Sequence, residues 1–73
     1  MEKLFDAKIY SQKSVKTTIA AFDKLAEFKL KREGDYYKVS VAKLLDPEVE
    51  DCLMDEFANY ALYNTIAEKK QWQ

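Results

Sequence analysis

The spacing of apolar residues changes period at Ser11. From Lys3 to Tyr10, Phe5, Ala7 and Ile9 alternate with Asp6 and Lys8, the two-residue repeat of a strand with one covered face. Beyond Ser11, Val15, Ile19, Phe22 and Ala26 recur at helical steps. This predicts a helix over 12–26, with the Ser11 hydroxyl capping its orphan amides. Ala20, Ala21 and Leu25 widen its apolar band, and Lys13, Lys16, Asp23 and Lys24 take the wet side. Thr17 and Thr18 are mediocre helix formers, so packing rather than propensity must hold this segment.

Two more alternating runs follow, Phe28 and Leu30, then Tyr37, Val39 and Val41. Between them lies Arg32-Glu33-Gly34-Asp35, whose glycine can adopt a positive φ. The pattern is a hairpin with strands over 27–32 and 36–42. Asp46 then caps a helix whose first position is Pro47, where the missing N–H costs nothing. Glu48, Glu50 and Asp51 at its start and Lys69 and Lys70 at its end match the helix dipole, so one long helix is expected from Pro47 to Lys70.

The order β-α-β-β-α predicts a single α+β domain over 1–73, a two-layer sandwich with two helices on one face of a three-stranded sheet. A right-handed crossover makes strands one and two parallel, with strand three between them in the order 1-3-2; the order 1-2-3 stays open. Either order leaves the second sheet face uncovered, with Lys29, Lys31, Tyr36 and Lys38 on it.

The second helix carries apolar residues on two sides, and a small domain needs only one. Val49, Leu53, Phe57, Tyr60, Asn64 and Ala67 define a stripe for the core. Leu62 and Ile66, with Ala58 and Tyr63 beside them, fall on its rear or flank, since each residue turns about 100°. Ala58, Leu62, Tyr63 and Ile66 are therefore the candidate interface, to be covered by a second copy of the chain or by a larger protein. Asn64, in the middle of the core stripe, must reach a backbone group or mark a second interface, because an unpaired buried amide is costly.

Composition narrows the functional classes. A chain of 73 residues buries only roughly 60% of the surface it exposes when unfolded, yet a hydrophobic content of 48% is ample for folding. With one Cys and no His, disulfides and histidine-based metal or catalytic sites are excluded, which leaves self-association or a partner as the remaining support. Cys52 reads as a small buried or half-buried helix residue in a reducing cytoplasm, with no signal peptide or membrane-spanning stretch expected. The net charge of -1 provides no global attraction for nucleic acid or anionic lipid.

Glu48, Asp51 and Asp55 share one side of the second helix, where dipole electrostatics explains them without a metal. A single glycine excludes phosphate-cradling loops, so no cofactor is expected and the chain reads as a non-enzymatic interaction protein. Tyrosines supply amphipathic anchors: Tyr60 is assigned to the core, whereas Tyr63 and Trp72 are divided between an interface and either core or disorder. The alternative function is single-stranded nucleic-acid binding on the open sheet face through Lys29, Lys31, Tyr36 and Lys38, set against an ordinary solvated strand face.

Ile9-Tyr10-Ser11, Ile19-Ala20-Ala21-Phe22, and Glu56-Phe57-Ala58-Asn59 followed by Leu62 and Ile66 resemble the small HxsD proteins of His-Xaa-Ser systems. Members of that family are encoded with a His-Xaa-Ser repeat peptide and two radical SAM enzymes. The resemblance implies an accessory component of a peptide-modification system, with a radical SAM enzyme as partner. Where the family carries an acidic residue and an arginine in its second helix, this chain has Tyr63 and Ala67, so no functional residue is carried over.

Overall fold

In the computed structural model, which describes residues 1–70, β1 (Glu2–Asp6), α1 (Gln12–Ala21), β2 (Ala26–Glu33), β3 (Tyr36–Leu44) and α2 (Leu53–Lys70) follow one another in the expected order. The architecture is α+β, with one three-stranded sheet in the order β1-β3-β2. β3 is the central strand and runs antiparallel to both neighbours, so β1 and β2 point the same way on either side of it. The β2–β3 hairpin turns at Gly34, whose φ of 57 is the one positive value among the described residues. A glycine in the first central position of a two-residue loop gives the backbone twist that matches paired strands.

Strand register separates the two faces. Lys3 and Phe5 lie opposite Val39 and Tyr37, and Leu30 and Phe28 lie opposite Val39 and Val41, which directs this set toward the helices. Phe5, Val15, Tyr37, Val39, Phe57 and Ala61 form the buried core. Phe57 is its hub, with ring centroids 5.8 Å from Phe5, 5.5 Å from Phe22 and 5.0 Å from Phe28. Such tilted and edge-on pairs add to the area that they bury.

Element boundaries depart from the sequence pattern at three places. β1 ends at Asp6, not Tyr10. The Asp6 carboxylate accepts the Lys8 N–H at 2.8 Å and its carbonyl accepts Ile9 and Tyr10, so the chain turns and Ile9 is exposed. α1 ends at Ala21 rather than Ala26. Phe22 N–H is shared between the Thr18 and Ile19 carbonyls, and Leu25 and Ala26 bond back to Phe22, a tightened turn that frees Ala26 to open β2 fully buried. Ala20 and Ala21, assigned to the apolar band, are exposed.

The long second helix is likewise two pieces. Asp46 accepts the Glu48 N–H at 3.0 Å, but the element it caps is a short 3-10 turn, Pro47–Val49, and α2 begins at Leu53. Cys52 lies in the intervening turn and is exposed, with its thiol 3.6 Å from the Val49 carbonyl. The expected burial of Cys52 presupposed a continuous helix.

The buried stripe of α2 is Leu53, Phe57, Ala61 and Thr65, all at four-residue steps, which replaces the predicted stripe through Tyr60 and Ala67. Tyr60 is 42% exposed and touches Phe22 edge-on at 5.7 Å. The difference comes from the α1–α2 contact, which is lined by small hydroxyl residues and not by large apolar ones. Ser14 and Thr18 are buried in α1 against Thr65 and Asn64 of α2. Asn64 donates to the Thr18 hydroxyl at 3.0 Å, so its amide reaches a side chain of α1, where a backbone group or a second interface was the expectation. Thr18 in turn donates to the Ser14 carbonyl, and Thr65 to the Ala61 carbonyl, both at 2.8 Å. Ser11 closes the seam: its hydroxyl accepts the Ser14 N–H as the helix cap and donates to the Glu68 carboxylate at 2.6 Å. No buried side-chain nitrogen or oxygen is left without a partner among the described residues.

Candidate functional site

Burial of the 53-57-61-65 stripe fixes the direction in which the rest of α2 points. At about 100° per residue, Asn59 and Ile66 lie opposite that stripe, and Leu62 and Tyr63 flank them. Leu62 is 43% exposed, Ile66 47% and Tyr63 66%. The Tyr63 ring lies 6.2 Å from that of the half-exposed Tyr60. Ala58, the fourth candidate interface residue, is partly buried and packs against the core cluster, so it borders the outer patch and does not stand on it. Asp55 and Glu56 at one end of this outer side, and Lys69 and Lys70 at the other, are exposed. Among the described residues none of the four forms an ion pair. Trp72 lies outside the described residues.

The open sheet face brings the other candidate set together. Register aligns Leu4, Lys38 and Lys31 across the three strands, with Glu2, Ser40 and Lys29 on one side of that row and Asp6, Tyr36 and Glu33 on the other. The acids hold the central lysine: Lys38 Nζ is 3.2 Å from Glu2 and 3.8 Å from Glu33, and Lys31 is 4.0 Å from Glu33. The hydrogen bond that Lys38 donates to Glu2, with the charges of Glu2 and Glu33, pushes the Lys38 ammonium above its ordinary value. Lys29, Lys31 and Lys38 thus share their face with Glu2, Asp6 and Glu33. A phosphate chain approaching it would meet balanced charge, and the gain from counterion release depends on net positive contacts.

Arg32 lies toward the core side, where its guanidinium stacks 5.0 Å above the Tyr37 ring and its Nε donates to the Gly34 carbonyl at 2.6 Å. That contact ties the hairpin turn to the strand beneath it.

A hollow of about 190 Å³ opens where the turn after β1 meets the end of α2, lined by Ala7, Ile9, Tyr10, Thr65 and Glu68. Ligand pockets typically enclose about 300–1,000 Å³. Glu68, its one carboxylate, is already engaged by Ser11. Among the described residues no three carboxylate or thiol groups cluster to hold a metal ion, and no helix is long and apolar enough to cross a membrane.

The hydroxyl seam leaves no mark in an apolar pattern, where Ser14, Thr18 and Thr65 are neutral. Their signal in the sequence is the four-residue spacing of Ser14 to Thr18 and of Ala61 to Thr65, small residues that allow two helices to approach closely. No protein-family model, curated protein or solved structure matches the chain.

Proposed function

We propose that this protein is a small non-enzymatic interaction protein that docks through the outer side of α2. The observation that carries the reading is the exposure of Leu62, Tyr63 and Ile66 together on a helix whose opposite side already completes the core. Aromatic and aliphatic anchors of this kind concentrate affinity when a partner desolvates them. Surface chemistry supports an adaptor rather than a catalyst. The thiol of Cys52 sits in an exposed turn with a carbonyl as its neighbour, and the chain has no histidine to activate it. The balanced charge of the open sheet face favours protein docking over the nucleic-acid alternative.

The HxsD-like stretches suggest the setting, an accessory role beside a radical SAM enzyme that modifies a peptide in a reducing cytoplasm. Solution mass by light scattering, and binding to a purified radical SAM enzyme encoded beside the gene, test the reading with the native chain, Leu62→Glu and the sheet-face control Lys31→Glu. Docking through α2 requires that Leu62→Glu abolish an association that Lys31→Glu leaves intact. Absence of any association in the native chain, or equal association in both variants, overturns it.

A further inference from the structure

The outer side of α2 is arranged to fit itself when turned end for end. Asp55, Asn59, Leu62, Ile66 and Lys69 follow steps of four and three, so they keep to one side along the whole helix. The acids are at one end, the lysines at the other, and the apolar residues between them. Antiparallel apposition of two copies about a two-fold axis beside Leu62 and Tyr63 places Asp55 and Glu56 of each chain over Lys69 and Lys70 of the other, with Leu62 and Tyr63 in mutual contact. A parallel arrangement sets acids against acids and lysines against lysines.

The acid-first, lysine-last order also suits the helix dipole, but the dipole does not require these charges on the same outward side as the apolar residues. Among the described residues none of the four is taken up by an ion pair. Resting on the docking reading above, we propose that the partner which covers this side is a second copy of the chain, paired antiparallel through α2 as a symmetric dimer.

Charge reversal tests the pairing. One chain carries Asp55→Lys and Glu56→Lys, the other Lys69→Glu and Lys70→Glu, and mass is measured by analytical ultracentrifugation at millimolar chain and low salt. The native chain is expected to dimerise, each reversed chain alone to lose at least about tenfold in self-affinity, and an equimolar mixture to recover it. Raised salt should weaken the native dimer. Dimerisation of either reversed chain at native strength overturns the inference, and so does failure of the mixture to pair when circular dichroism shows both chains folded.

If a reversed chain fails to fold, thiol cross-linking decides in a Cys52→Ser background. Chains with Asn59→Cys and with Ile66→Cys should give the mixed disulfide in preference to either homodisulfide, and equal yields of all three overturn the antiparallel register. A native chain that stays monomeric at millimolar concentration refutes self-pairing alone; the docking reading then stands or falls on enzyme binding by Leu62→Glu. A native dimer untouched by Leu62→Glu likewise refutes pairing through α2, and if enzyme binding is also untouched by Leu62→Glu the docking reading falls with it.

Discussion

The Ser14 and Thr65 hydroxyls meet at 2.8 Å inside the α1–α2 seam, although 51 residues separate them. Each also has a backbone acceptor within reach, the Ser11 carbonyl at 3.0 Å for Ser14 and the Ala61 carbonyl at 2.8 Å for Thr65. Two hydroxyl hydrogens therefore serve three contacts. Removing one hydroxyl leaves the other still able to donate to its own helix. Thr65→Val should cost less than about 1 kcal/mol in a urea melt, since no donor is stranded. Thr18→Val differs because the Thr18 hydroxyl is the acceptor for the Asn64 amide; its loss should cost about 1–2 kcal/mol, or roughly 4–16 °C in Tm. Equal costs for the two variants would contradict this hydrogen assignment.

Ser11 is a cap with a second duty. Asp is ordinarily as good an N-cap as Ser, but here it would set a carboxylate against Glu68, which the Ser11 hydroxyl now approaches to 2.6 Å. Ser11→Asp is expected to lower stability by about 1 kcal/mol or more, and Glu68→Gln in the same chain to restore it. A thermal melt of the single and double variants measures the coupling, and an unchanged Tm for Ser11→Asp would separate the cap from the seam.

Phe57 joins sheet and helices through Phe5, Phe22 and Phe28. Phe57→Ala should cost about 3–5 kcal/mol. A domain of 73 residues has about 4–11 kcal/mol in total, so the variant should lose a large part of its stability and melt well below the native chain by circular dichroism. Phe57→Leu keeps most of the volume and should remain folded.

How Phe57, Ala61 and Tyr60 divide shows what the sequence made legible. The alternation in β2 and β3, the turn at Gly34 and the outward direction of Leu62 and Ile66 all follow from period and angle, and the structure has them there. Period alone ranks Tyr60 above Ala61 for the core because it rewards bulk. At a close helix contact the small Ala61 fits, and Tyr60 is displaced toward Phe22 and solvent. Local capture by side chains also hid boundaries: Asp6 ends β1 with its own carboxylate, and an alternating pattern through Ile9 conceals this. Hydroxyl pairs such as Ser14 with Thr65 were invisible because their complementarity exists only once two distant segments are side by side.

Lys38 makes stability depend on alkaline pH. Its ammonium is held above its ordinary value by Glu2 and then Glu33, so the folded state binds the proton more tightly than the unfolded chain. The resulting stabilisation is complete below the ordinary lysine value and is lost as pH rises through the raised one. Because the group is exposed and screened, the effect is small. The Tm difference between the native chain and Lys38→Met should be present near neutral pH, shrink as the lysine titrates, and diminish in high salt. A difference that grows with alkaline pH would reverse the sign and remove the Glu2 contact as its cause.

The central position of β3 also sets an order for assembly. β2 and β3 are neighbours in sequence and close around Gly34 with little loss of chain freedom, whereas β1 can join only after β3 exists to receive it. The strand made first is thus the one paired last. Phe5 is the bolt that β1 brings to the interior, and the molecule's easiest partial opening should be the peeling of this short margin, readable as faster amide exchange along Lys3–Phe5 than along Tyr37–Val41.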